Sequence, residues 1–155
     1  MYIKTQDLIK SKESNIAKKE NNDCVVYAFA SAFGLDYDAA HAEVAKRFGR
    51  QDKKGTKRLS ILKGIEELKA GDQVNGKTIT EAINKPSTNY KAYGQVIPRS
   101  LRLSSFAAKY PKGTYMILVR SHALTIKDGV VLDNARPHPS SIVQHAFKVE
   151  DTNVG

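Results

Sequence analysis

Apolar positions in this chain follow two different periods, and the change divides it into two parts. From Cys24 to Phe33 the run Val25, Val26, Ala28, Phe29, Ala32 and Phe33 covers more than one helical face, which predicts a largely buried helix. Gly34 is its expected stop. Asp36 reads as the N-cap of a second helix, Tyr37 to Phe48, with Tyr37, Ala40, Val44 and Phe48 at helical spacing and Gly49 closing it. Thr56 or Ser60 is the expected cap of a third helix to about Leu68, with Leu59, Leu62, Ile65 and Leu68 turned inward. Residues 71–99 carry Gly71, Gly76, Pro86, Gly94 and Pro98 and read as irregular, with one helical turn from Thr78 to Ile83. Ser104 is expected to cap a short helix to Lys109, ahead of Pro111.

Beyond Gly113 the pattern turns β-like. Gly113 to Arg120 is apolar and strand-forming, and His122–Lys127 and Val130–Asn134 flank an Asp128-Gly129 pair, a strong hairpin signal. Ile142 to Val149 offers a further strand. Helices first and antiparallel strands later predict an α+β fold. At 155 residues one domain, 1–155, is expected. Its polar, lysine-rich residues 1–20 are expected to form a short helix or a mobile arm, anchored by Leu8, Ile9 and Ile16.

The hydrophobic share of 41% and charged share of 26% are ordinary for a water-soluble domain. No apolar run approaches the roughly 20 residues of a membrane helix, and no apolar leader is visible, so no membrane partner is expected. A lone cysteine in such a chain fits a reducing compartment, the cytoplasm. The net charge of +9 is concentrated at Lys46, Arg47, Arg50, Lys53, Lys54, Lys57 and Arg58, seven cations against the single acid Asp52. This segment is either a solvated loop or a patch for an acidic protein or nucleic acid. No aromatic side chain interleaves it to stack on bases.

Cys24 ends the polar stretch Asn21-Asn22-Asp23 and begins the apolar helix. A thiol in the first turn of a helix feels the positive end of the macrodipole, which favours thiolate. A cysteine hydrolase further needs a base and a group that orients it. His122 follows 98 residues later, then Asp133 or Asn134. A two-residue Asp128-Gly129 turn pairs Lys127 with Val130, Ile126 with Val131 and Thr125 with Leu132. Continued, it pairs Leu124 with Asp133, Ala123 with Asn134 and His122 with Ala135. Paired residues share a face, so Asp133 lies diagonal to His122 and Asn134 faces the other way. A β-bulge would reverse that choice.

The other candidates carry less. Asp23 is expected to cap or charge the helix start. His41 reads as a surface or groove residue near Glu43, His138 as a loop residue between prolines, and His145 as a strand residue facing solvent. No grouping has zinc-ligand spacing and no phosphate or dinucleotide motif appears, so neither metal nor cofactor is expected.

The segments Asn-Asp-Cys-Val-Val at 22–26, Ser-His-Ala-Leu-Thr-Ile at 121–126 and Val-Val-Leu-Asp-Asn at 130–134 resemble the papain-like cysteine peptidase superfamily. The similarity covers about residues 20–135 and is greatest to small papain-like proteins of bacteriophages and bacteria. Asp36–His41, Phe48–Arg50 and Lys54–Thr56 share it. The resemblance implies that the cysteine begins a central helix packed on an antiparallel sheet. It implies a hydrolase, most naturally a peptidase cutting a peptide or isopeptide bond, located in the host cytoplasm if phage-encoded. Cys24 would be the nucleophile, His122 the general base and acid, Asp133 its orienting partner, and a thioester the intermediate. Papain-type enzymes place an oxyanion-hole glutamine several residues before the cysteine, and Lys18 stands six residues before it here. Asn21 or Asn22 is then the replacement donor, with Cys24 N–H as the second; Asn22, just before the expected helix start, is the choice. That departure, with the basic segment 46–58, motivates an alternative: a catalytically silent binding module of the same fold.

Overall fold

The computed structural model describes residues 2–4, 9, 11–134 and 137–152. Its helices are α1 (Asn15–Lys18), α2 (Cys24–Phe33), α3 (Tyr37–Phe48), α4 (Arg58–Lys69) and α5 (Leu103–Lys109). Its strands are β1 (Tyr2–Lys4), β2 (Lys77–Asn84), β3 (Ser87–Ala92), β4 (Gln95–Ser100), β5 (Thr114–Val119), β6 (His122–Lys127), β7 (Val130–Asp133) and β8 (His145–Asp151). Six of them form one sheet in the order β1-β7-β6-β5-β8-β2, and β3 and β4 form a separate hairpin. Every pair in the large sheet is antiparallel except β1–β7. The class is therefore α+β.

α2 is apolar nearly all round because it is covered nearly all round: β6 and β5 lie on one side and α3 on another. Val26, Phe29, Ala30 and Phe33 are fully buried, each large side chain contributing about 1.5–3 kcal/mol. The buried Thr125 hydroxyl donates to the Ala28 carbonyl at 2.6 Å and fixes where α2 crosses β6. Gly34 and Gly49 end α2 and α3 in the left-handed conformation, at φ 68° and 65°, which a glycine adopts without Cβ strain. Asp36 caps α3 by accepting from Ala39 N–H at 2.9 Å.

Several expectations change in the structure. Residues 77–100 are strands rather than irregular chain with a helical turn. Thr78 to Ile83 lies within β2 because β8, some 70 residues later, supplies its hydrogen bonds, and Tyr93-Gly94, both at positive φ, turn β3 into β4. In α4 the inward face is Ile61, Gly64, Ile65 and Leu68, while Leu59 is 81% exposed. No side chain caps that helix. β8 begins at His145 rather than Ile142, which makes only an isolated bridge to Arg102. Of residues 1–20, Leu8 lies outside the described residues, Ile9 is buried and Ile16 is exposed. The described parts hold β1, a 3-10 turn at Ser11–Glu13 and α1, capped by Ser14. Among the described residues no helix is long and apolar enough to cross a membrane.

α3 and α4 approach most closely at Gly64. A Cβ there would sit 2.7 Å from the Arg47 carbonyl oxygen and closer still to the Phe48 ring. In an open helix, glycine to alanine gains about 1 kcal/mol; forcing a methyl into filled space costs about 1–3 kcal/mol. Gly64→Ala is therefore expected to be neutral to about 2 kcal/mol destabilising in urea unfolding. A gain of the full propensity increment would show that the two helices do not meet there.

Candidate active site

Three elements meet at the start of α2. The chain enters it through Asn22, held at φ 52°, and Asp23, which occupies the N-cap position without capping. Its carboxylate instead accepts from the Tyr37 hydroxyl at 2.6 Å. Burial first, and then this bond, push the Tyr37 phenol well above its ordinary value. No side chain caps the first turn of α2, so Cys24 opens a helix whose leading amides remain available to an anion. The thiol is free and half-buried.

His122 opens β6 directly after the two-residue turn Arg120-Ser121, with Ser121 at φ 58°. The hairpin beyond it has the expected register: Lys127 pairs with Val130, Ile126 with Val131 and Thr125 with Leu132. Asp128 and Gly129 are both at positive φ, as a type I′ turn requires. The described ladder ends at Thr125–Leu132, and Ala135 lies outside the described residues. Asp133 Oδ2 is 2.6 Å from His122 Nε2, and its side chain is fully buried. Asn134 contributes its backbone N–H to Asp133 Oδ1 at 2.8 Å. Its own side-chain carbonyl oxygen is buried and, among the described residues, unpartnered. Cys24 lies close enough to the imidazole to act on its titration, and the two side chains line one groove. With Nε2 on Asp133, Nδ1 is the ring nitrogen left free of the carboxylate. The structure thus brings Cys24, His122 and Asp133 together at the start of α2.

The bond to Asp133, then the one to Cys24, overcome burial and raise the His122 imidazolium from 6.5 to about 10. Parallel β1 lies beyond β7 with Lys4 opposite Asp133. This short strand covers the sheet edge behind the carboxylate, and nothing in the sequence pattern announced it.

The thiol and imidazole open into a groove of about 330 Å³ walled by Asn22, Thr56, Arg58, Ile61, Val119 and Ser121, among others. A larger cavity, about 640 Å³, lies at the far end of α2 beside Leu35 and Val130. It contains neither thiol nor imidazole, so the chemistry assigns the site to the smaller one. Asn22 lines the groove, but its amide nitrogen faces the Lys53 carbonyl at 3.3 Å and Asn21 Oδ1 at 3.4 Å. It ties the 50s loop to the helix start, and to serve an oxyanion it would first leave Lys53. Lys18 is exposed on α1.

The basic segment does not form one free patch. Arg50 is buried, with its guanidinium 2.5 Å from Glu20 Oε2 and 3.0 Å from the Asn21 carbonyl oxygen. Arg47 pairs with Glu43 at 2.8 Å and Asp72 at 3.4 Å. Lys46, Lys53, Lys54, Lys57 and Arg58 remain exposed. Glu20 is the hub: its second oxygen accepts from Lys53 N–H at 2.6 Å, and His41 lies 2.8 Å away. Burial works to raise the Glu20 carboxyl, but Arg50, His41 and Lys53 together outweigh it and hold it low. Glu20, His41 and Asp52 place three donor atoms within 4.8 Å of one another. The Arg50 guanidinium already neutralises Glu20 there, which disfavours a cation. His138 accepts from Ser140 N–H at 3.1 Å, and His145 is half-buried at the start of β8.

No family model, no curated protein and no solved structure matches the chain.

Two outcomes are expected from these contacts. Arg50→Ala leaves Glu20 buried without its cation and should lower the unfolding free energy by about 3–5 kcal/mol, while Glu20→Gln combined with Arg50→Met should lose much less. A loss below about 1 kcal/mol would mark the pair as a surface one. His122 makes stability pH-dependent. Its folded-state value is raised, so its contribution is complete below about 6.5 and fades as pH rises to about 10. The stability difference between wild type and Asp133→Asn should shrink across that window, and the His122 ring protons should titrate near its upper end by NMR. A His122 midpoint near 6.5 in wild type would refute the assignment.

Proposed function

We propose that this protein is a papain-like cysteine hydrolase that cuts a peptide or isopeptide bond. The observation that carries the reading is the His122 ring bonded to Asp133 and set beside Cys24 in one groove. The surrounding plan supports it: the thiol begins a buried helix, and that helix lies on an antiparallel sheet whose adjacent strands carry the base and its partner.

The chemistry follows from the contacts. The Cys24 thiolate attacks the acyl carbon, and charge builds on the carbonyl oxygen. The uncapped first turn of α2, beginning with Cys24 N–H, is the fixed donor for that oxygen. The His122 imidazolium gives its proton to the departing amine, leaving a thioester on Cys24. Neutral His122 then takes a proton from water, whose oxygen attacks the thioester carbon. The acid leaves, and thiolate and imidazolium are restored. Asp133 keeps the ring oriented throughout and balances its charge. No cofactor enters these steps.

The alternative, a binding module docking through residues 46–58, loses support from the internal pairing of Arg47 and Arg50, which leaves five of seven cations exposed.

Alkylation with iodoacetamide tests the reading. At pH 6 an unassisted thiol is about 0.3% ionised, so His122→Ala should slow labelling of Cys24 about a hundredfold. Cys24→Ala should abolish hydrolysis of susceptible peptides while keeping the fold. A Cys24 that is inert across pH and indifferent to His122→Ala would overturn the proposal.

A further inference from the structure

The groove is electrostatically one-sided. Apart from Cys24, the ionisable side chains that line it are Arg58 and His122, both basic. Arg58 is exposed and, among the described residues, has no carboxylate partner. The floor strands β5 and β6 lie inside a run, 82–127, that contains eight lysines and arginines and no aspartate or glutamate. Glu20 is engaged by Arg50 and His41, Asp133 by His122, and Asp52 faces His41 at 3.4 Å.

The surroundings of Arg58 reinforce its charge. It is the first residue of α4, and no side chain caps that helix, so the positive end of the helix dipole opens beside the guanidinium. Thr56, on the same wall, has a buried hydroxyl oxygen with no partner among the described residues. Half-buried His145 is pushed down first by burial and then by the charges of Arg58 and Lys85. The Arg58 guanidinium fork and the uncapped first turn of α4 thus stand on one wall of the thiol's groove. A carboxylate is the planar anion that a guanidinium fork fits.

We propose that Arg58 selects the substrate: the groove takes acyl donors with an aspartate or glutamate side chain close to the scissile carbonyl, and that carboxylate pairs with Arg58. The assignment rests on the cysteine-hydrolase reading and adds the substrate class to it. Of the other exposed cations of the cluster, Lys53, Lys54 and Lys57 are near Gly55, Thr56 and Arg58 of that wall in the chain and draw acidic segments toward it.

Matched peptidyl chloromethyl ketones test this. They differ only by glutamate or glutamine at each of the three positions before the ketone. Inactivation rates are divided by the iodoacetamide alkylation rate of the same protein, which cancels changes in thiol reactivity. For wild type the glutamate reagent should be faster by about tenfold at one or more positions, the worth of one charge-assisted pair. Arg58→Gln should bring that ratio to about one and Arg58→Glu should invert it, and the wild-type preference should fall with added salt. Ratios near one at every position, or a preference that ignores Arg58, would overturn the assignment while leaving the hydrolase reading intact. Failure of iodoacetamide to label Cys24 would instead remove both.

Discussion

The structure depends on α2 being buried along almost its whole length. A ten-residue helix with Val26, Phe29, Ala30 and Phe33 fully out of water must be covered on several sides at once. β6 and β5 supply one cover and α3 another. The Thr125–Ala28 hydrogen bond then removes the freedom to slide. Ala28 lies one turn, roughly 6 Å, along the helix from Cys24. Thr125 lies three residues, roughly 10 Å, along the strand from His122. One buried hydroxyl thus sets the relation between two side chains that the chain separates by 98 residues. The thiol reaches solvent only because it stands at the helix end, where burial stops.

Two carboxylates are buried around this frame, and they act differently. Glu20 joins segments: Arg50, His41 and the Lys53 amide converge on it, and with Asn22 they bind the loops 20–23 and 50–56 that wall the groove. Its benefit is geometric, since burying such a pair rarely yields more stability than apolar packing would. Asp133 instead serves one ring. Its oxygens are divided between His122 and the Asn134 amide, so the imidazole meets a carboxylate that cannot turn away.

What was legible in the sequence was local. α2 and α3 carry their own glycine stops and α3 its own cap, and the Asp128-Gly129 turn fixes a register that separates Asp133 from Asn134 within 12 residues. What was hidden was settled by partners far along the chain. Thr78–Ile83 has no pattern that excludes a helical turn, and it becomes strand through β8. β1 is three residues long and held by a parallel neighbour. Arg50 looked like one cation among seven because its partner, Glu20, lies 30 residues earlier. The Cys24–His122 approach was readable only as an order of residue types. The resting place of the Asn22 amide, on the Lys53 carbonyl, is a contact between loops that periodicity does not describe.

The strength of the His122–Asp133 bond raises a mechanistic difficulty that the same geometry resolves. An imidazolium that titrates near 10 is a reluctant acid, yet on the hydrolase reading it must protonate a departing amine. Its proton is held by two supports, the bond to Asp133 and then the one to Cys24. When sulfur becomes part of a thioester it loses its charge and its capacity to hold the ring proton, so the second support disappears as the leaving group needs that proton. Asp133 remains, and with it the orientation of the ring. On that reading, the interaction that helps hold the ring proton at rest is the one that acylation removes, which delays proton release until the carbon–sulfur bond has formed.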